Sequence, residues 1–252
     1  MGQFYGMDIP TEGLSAAFDV ANPKCVDATS TITSSTRLKN LVNRNHELGF
    51  QDTASATLSA MSFVVDNGSY VYDQVSTAGG EPGWKATSTI PRSNDETFIG
   101  WYKFQNGSSY QRGDNIYGGG FNGRTSFYIS PSGTSSSHGL LRYSDAGSTD
   151  GFSVTGSHGA NDGNWHMFCG RDYGPDGAHT AEFWLDGVLT QTGTSNATYD
   201  TNDGNQTMTW GSWSGDYGNM GGRLNLFYYW NRTLTPEEIL QFYNATKGRF
   251  GA

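Results

Sequence analysis

From Leu14 to Trp230 the sequence runs in short β-rich stretches, roughly ten to twenty residues apart, separated by clusters of Gly, Asn, Asp and Ser with no intervening helix pattern. LSAAFDV (14–20) reads as a first strand. MSFVVDNGSYVYDQV (61–75) sets two β-rich arms around Asp66-Asn67-Gly68. HTAEFWLDGVLTQTG (179–193) does the same around Asp186-Gly187. Asn-Gly and Asp-Gly suit a two-residue hairpin turn because both central positions need positive φ. ETFIGWYKFQ (96–105) puts Phe98, Gly100 and Tyr102 on one face and Ile99, Trp101 and Lys103 on the other. A strand apolar on both faces belongs in the middle of a covered sheet. TSFYISPSG (125–133), GLLRYSDAG (139–147), NWHMFCGRDY (164–173), QTMTWG (206–211) and GRLNLFYYW (222–230) complete the set. This spacing predicts an all-β fold, two antiparallel sheets packed as a sandwich or jelly roll, with Trp101, Phe183, Leu185 and Phe227 buried. No linker, charge run or tandem repeat divides the chain, so residues 13–252 read as one domain behind an N-terminal arm, residues 1–12.

The exception is the C-terminus, LFYYWNRTLTPEEILQFYNATKGRF (226–250). Thr235 followed by Pro236, Glu237 and Glu238 has the spacing of a capping box. Pro236 falls at the first helical position, where a missing N–H costs nothing. Leu234 and Ile239 have the spacing of a hydrophobic staple. The two carboxylates suit the positive end of the helix dipole, Lys247 suits the other end, and Gly248 offers a stop. Ile239, Leu240, Phe242 and Tyr243 supply one apolar stripe, so a short helix is predicted to dock by that stripe on the strands.

Aromatic residues supply the core: 14 Tyr, 14 Phe and 7 Trp in 252 residues. A net charge of −9 without a Lys/Arg cluster argues against nucleic acid and against an anionic membrane surface as partner. No stretch reaches the length of a membrane span. The opening MGQFYGMDIPTEG has neither a basic n-region nor an apolar h-region, which sets the expectation of a protein made without a secretory signal. The N-x-[ST] sequons at Asn67, Asn106, Asn196, Asn205, Asn231 and Asn244 are accordingly read as chance. Cys25 and Cys169 form no C-x-x-C motif; one long-range bridge stays open to them, but two unpaired thiols are expected.

The ordered set of motifs resembles the laminin-G-like, concanavalin A-like jelly-roll domains found in bacteriophage virion proteins. GLSAAFDVANPKC is similar to the opening strand of that family, MSFVVDNGSYVY to its Asp-Gly hairpin, and FIGWYKF to its central Trp strand. DGNWHMFCGRD with AEFWLDGVL resembles its Trp-His strand and the hairpin after it, and LNLFYYWNRTLTPEEILQFYNATKGRFG its ending. The resemblance runs from about Gly13 to Gly251. It implies a sandwich whose final helix packs at the sandwich edge. It also implies a non-enzymatic structural component of a virion (capsid decoration, tail or fibre), made in the host cytoplasm, oligomeric through assembly, with other virion proteins as partners. The arm, with Phe4, Tyr5, Met7 and Ile9, would dock on a neighbouring subunit or lie as an edge strand of the same sandwich.

Fold does not fix function, so the chemistry is sought separately. Glycoside hydrolases of this fold carry alternating acids, Glu-x-Asp-x-x-Glu, on one strand. The nearest arrangement here is Glu182 and Asp186 around Trp184, and Asp186 belongs to a turn. QTM (206–208) lacks the His of the Gln-x-His strand that polysaccharide lyases of this fold carry. No catalytic residue is assigned and no enzyme is expected. The histidines at 46, 138, 158, 166 and 179 form no H-x-H or H-E-x-x-H pattern, so no metal ligand is assigned and no cofactor is required. Calcium stays open through the Asp172 and Asp176 of RDYGPDGAH, with no ligand set. Sugar binding needs an aromatic platform with short polar groups beside it. GSWSGDYGNMGG (211–222) offers Trp213 and Tyr217 with Asp216 and Asn219, the candidate glycan-binding residues of an alternative reading, adhesion to host-surface glycans.

Overall fold

The computed structural model describes residues 9–51, 61–74, 83–88, 93, 95–104, 114–119, 126–130, 137–141, 153–157, 160, 162–175, 178–195, 208–210 and 222–252. Sheet one holds β1 (Leu14–Asp19), β4 (Met61–Asp66), β5 (Ser69–Gln74), β7 (Glu96–Phe104), β12 (Trp165–Tyr173), β13 (His179–Leu185), β14 (Val188–Ser195) and β16 (Gly222–Trp230). Sheet two holds β2 (Arg37–Lys39), β3 (Glu47–Gln51), β6 (Gly83–Ala86), β8 (Asp114–Gly119), β9 (Ser126–Ser130), β10 (Ser137–Leu141), β11 (Ser153–Ser157) and β15 (Met208–Trp210). Every pairing is antiparallel, in the orders β14-β13-β12-β7-β16-β5-β4 and β11-β10-β9-β8-β15-β6-β3-β2. The protein is an antiparallel two-sheet β-sandwich with one short C-terminal α-helix. β1 and β5 share one side of β16, end to end: Asp19 lies opposite Leu226, and Tyr72 opposite Leu224.

The alternation along β7 sorts its side chains as the sequence predicts. Phe98 and Tyr102 join Phe18, Phe168, Phe183, Phe227, Tyr229, Trp84 and Trp210 in the core between the sheets. Ile99 and Trp101 join Met167, Trp184, Leu226, Tyr228 and Trp230 on the other side. Trp101, Phe183 and Phe227 are fully buried, whereas Leu185 is only partly covered. Both predicted turns form, with Asn67 and Gly68 at φ 49° and 75° and Asp186 and Gly187 at 51° and 80°. The two thiols are unpaired and buried in different cores, Cys25 between the sheets and Cys169 beneath the helix; burial pushes the Cys25 thiol up to about 12.

The C-terminal helix, α1, spans Pro236–Thr246 and has the predicted start in full. The Thr235 hydroxyl accepts from the Glu238 N–H, and the Glu238 carboxylate accepts from the Thr235 N–H at 2.8 Å. Leu234 and Ile239 are both fully buried. The helix does not pack at the sandwich edge, as the family resemblance implies. It lies on the outer face of sheet one, because β7 and β16 present Trp101, Tyr228 and Trp230 there as a second apolar surface that must be covered. The buried stripe is Ile239, Phe242 and Thr246; Leu240, predicted to join it, is 47% exposed. Gly248 is not the stop, since α1 passes directly into a 3-10 turn, Lys247–Arg249, and the left-handed residue is Gly251 at φ 71°.

Trp101 is the centre of this outer core. It stacks on Phe250 at 4.2 Å and on Tyr243 at 5.8 Å between ring centroids, and its indole N–H donates to the Thr246 hydroxyl at 2.9 Å. Residues 9–12 lie against the same layer. Ile9 packs on this core, the Trp230 indole donates to the Pro10 carbonyl at 2.9 Å, and Arg232 Nε donates to the Glu12 carbonyl at 2.8 Å. No helix among the described residues is long and apolar enough to cross a membrane.

Candidate functional site

The predicted glycan-binding residues Trp213, Asp216, Tyr217 and Asn219 lie outside the described residues, and so does Asp176. The strands on either side of the 211–221 segment are described. Trp210 is fully buried in sheet two, opposite Trp84 and Tyr117, while Gly222 opens β16 in sheet one, opposite Phe104 and Gln74. Gln74 in turn faces Met61, so Met61, Gln74, Gly222 and Phe104 form one rim of sheet one. Four passages of the chain between the sheets leave from strand ends at this rim: β3 to β4, β5 to β6, β7 to β8 and β15 to β16.

The acids considered for catalysis are committed to structure. Glu182, nearly buried, accepts from Arg171 Nε at 2.6 Å, from the Tyr173 hydroxyl at 2.8 Å and from the Trp184 indole at 3.0 Å. Burial alone would raise its pKa, but these donors outweigh it and hold the carboxyl below its ordinary value. Arg171 also donates to the Leu234 carbonyl at 2.7 Å, and its guanidinium lies over the rings of Tyr173 and Trp184. Asp186 caps the hairpin tip. One oxygen accepts from the Met167 N–H at 2.8 Å, and the other meets His166 Nδ1 at 2.7 Å. Glu182 is thus ionised and saturated with donors, which is the opposite of what a general acid requires.

His166 is clamped on both sides, because Asp162 meets its Nε2 at 3.1 Å. Burial by itself would lower the His166 pKa; the hydrogen bonds to Asp186 and Asp162 prevail and hold it above the ordinary value. Asp172, one of the aspartates that left calcium open, points inward and pairs with fully buried His179 at 3.0 Å. Among the described residues no group of three or more His, Cys, Asp or Glu side chains is arranged to hold a metal.

Sequence reasoning missed a cleft on the described surface. It has a volume of about 470 Å³ and lies between the β4–β5 turn, the C-terminal end of α1 and the junction of β1 with β5. Arg249 donates from Nη1 and Nη2 to Asp19 at 2.9 and 2.6 Å, and from Nε to the Ser69 hydroxyl at 3.0 Å. It thereby joins the end of β1 to the start of β5. The Asn67 side-chain amide donates to the Phe250 carbonyl at 2.9 Å and closes the far wall. Nothing in the sequence links position 19 with position 249. Asn67-Gly68 was legible only as a turn.

No family model matches the chain, and no curated protein is significantly similar in sequence. Solved structures are similar in fold. One is domain 4 of AbnA, a GH43 extracellular arabinanase from Geobacillus stearothermophilus, in complex with arabinotriose. It superposes with a TM-score of 0.61 at 13% identity over 91% of this chain and 98% of that domain. The binding domain of Paraclostridial Mosquitocidal Protein 1 gives 0.63 at 11% identity over 93% of this chain, and that of botulinum neurotoxin serotype C1 gives 0.61 at 12% over 93%. The match takes in 52% of each of these two binding domains, so this chain corresponds to about half of them. At these identities the likeness establishes the β-sandwich fold.

Proposed function

We propose that this protein is a non-catalytic, carbohydrate-binding β-sandwich module that acts in adhesion to surface glycans. The observation that carries this reading is the likeness to the arabinanase domain 4, which matches over nearly its full length and was solved with arabinotriose. Botulinum neurotoxin binding domains point the same way: one of serotype DC was solved in complex with SialylT, and cell entry of type C depends on two ganglioside molecules. The commitment of Glu182 and Asp186 to hydrogen bonds within sheet one supports a binder over a hydrolase.

In this proposal Trp213 and Tyr217 stack on the sugar face, and Asp216 and Asn219 take its hydroxyls. Each contact is weak, so adhesion depends on many copies displayed together. The motif resemblance favours a second reading, in which the domain is displayed on a phage particle. It would attach to other virion proteins through the arm, residues 1–12, with residues 13–252 as the displayed unit, and be oligomeric through assembly. The solved structures favour the glycan reading over this one, and the two are compatible in a displayed adhesin.

The test is a glycan array probed with the protein coupled at high density to a bead. Retention on a defined glycan class, lost in Trp213→Ala with an unchanged melting temperature, supports the proposal. Failure to bind any glycan at that density overturns it. A large stability loss in Trp213→Ala reassigns that residue to the core.

A further inference from the structure

The cleft beside α1 is built in a way that its structural duties do not explain. Its polar wall is rigid. The Asp19 carboxylate and the Arg249 guanidinium, 5% and 7% exposed, form a two-point pair; Ser69 is fixed by Arg249 Nε, and the Asn67 amide by Phe250. Leu226, Ile9 and Tyr228 supply the cleft's apolar lining. The mouth is lined by two glycines. A Cβ at Gly68 or at Gly248 would meet nothing within 4 Å. Gly68 needs its hydrogen side chain for φ 75°, but Gly248 sits in the 3-10 turn with ordinary φ and terminates no helix. Neither packing nor backbone conformation calls for glycine there. Its visible effect is to leave the cleft open.

The chemistry of the walls selects a ligand class. All three nitrogens of Arg249 are engaged, and its charge is matched by Asp19, so among the described residues the cleft offers no uncommitted cation to an anion. The chain's net charge of −9 also disfavours anionic ligands. Both Asp19 oxygens are taken up by Arg249, and Oδ1 also by the Ala21 N–H. The Ser69 hydroxyl and the Asn67 side-chain amide beside aliphatic and aromatic lining suit a molecule with hydroxyls on its edge and C–H groups on its face. The volume falls in the usual range of small-ligand sites. A wall already locked by ion pairing and hydrogen bonds loses little further freedom on binding.

We propose that this cleft is a second saccharide subsite, taking one neutral sugar residue of a glycan chain, distinct from the Trp213 loop. The proposal rests on the glycan-binding reading above. The test is a titration of the full-length 15N-labelled protein with arabinotriose, maltotriose, cellotriose and lactose, and with anionic 3′-sialyllactose, followed by amide chemical shifts. At least one neutral probe should give saturable shifts at Gly68, Ser69, Gly248 and Arg249, with 3′-sialyllactose weaker by at least about tenfold in Kd. Gly248→Phe places a ring on the cleft lining, at a position where the Cβ itself meets nothing within 4 Å, and should abolish those shifts. Ala245→Phe, on the exposed side of α1, is an independent blocker that should do the same. Both should melt as the wild type does.

Shifts confined to residues 211–221 would overturn the cleft while sparing the glycan reading. Cleft shifts that persist in Trp213→Ala, with none in the loop, would uphold the cleft and sink the loop assignment. Cleft shifts unaffected by both blockers, or stronger with 3′-sialyllactose, would overturn it. Silence with every neutral probe would do so too.

Discussion

Arg249 and Asp19 stand 230 residues apart in the chain and form a two-point, almost wholly buried ion pair. The last turn of the protein thus clamps the end of its first strand, at the place where β1 gives way to β5 along β16. Removing one partner of a buried pair leaves the other charged and desolvated, which costs about 3–5 kcal/mol. Arg249→Met should show a loss of that size in urea unfolding. Asp19→Asn combined with Arg249→Met should recover part of it, because no bare charge remains. A double variant no better than Arg249→Met would show that the guanidinium contributes by packing alone.

The outer core makes three graded predictions about α1. Thr235→Ala removes the cap and should cost about 1 kcal/mol. Thr246→Val strands the Trp101 indole N–H in a buried site, for about 1–3 kcal/mol. Ile239→Ala empties a fully buried position, for about 2–5 kcal/mol. Urea midpoints at unchanged m-value would rank them. If Ile239→Ala were the mildest, the helix would not be integral to the core.

Gly170, on β12, sits opposite Phe98, with the tip of the Phe98 ring over it. A Cβ there would collide with the Phe98 ring. Because Phe98 is itself buried between the sheets, it has nowhere to retreat. Gly170→Ala should therefore destabilise the domain by about 1–3 kcal/mol. In the double variant Gly170→Ala with Phe98→Leu, the added cost of the alanine should shrink. Equal costs in both backgrounds would locate the strain elsewhere.

These contacts also show what can be read from a sequence of this kind. The hairpin turns, the two-faced β7 and the capped helix were legible because each is specified within a dozen residues by side-chain period or turn chemistry. β2 was not, because Arg37-Leu38-Lys39 presents one buried side chain and no period. β6 was not either: Gly83-Trp84-Lys85-Ala86 is too short for an alternation to stand out, although Trp84 is a centre of the inter-sheet core. The placement of α1 on a sheet face depended on Trp101, Tyr228 and Trp230 pointing the same way from different strands, which register decides and local pattern does not. The cleft depends on Asp19, Ser69 and Arg249 meeting from three regions of the chain. Chemistry shared across such distances has no local signature.

The clamp on His166 gives the protein a pH dependence of definite sign. Burial opposes the charged ring, but Asp186 and Asp162, one on each nitrogen, favour it more strongly, so the folded-state pKa lies above the ordinary 6.5. A group whose pKa rises on folding contributes its full stability below the unfolded value and loses it as pH climbs through the folded one. Stability should thus fall from about pH 6 toward higher pH, within the range where histidine titrates. On the acid side the order reverses: Asp162 and Glu182 are held below their ordinary values, and their contribution is lost as pH drops through those lowered pKa values. His166→Gln should remove the alkaline slope and leave a reduced acid one, carried by Glu182 and by the Asn164 bonds to Asp162. Urea midpoints across the pH range would test this, with the His166 ring titration followed directly by NMR. An alkaline slope that survives in His166→Gln would assign it to other groups, and a ring pKa at or below 6.5 would show that burial outweighs the clamp.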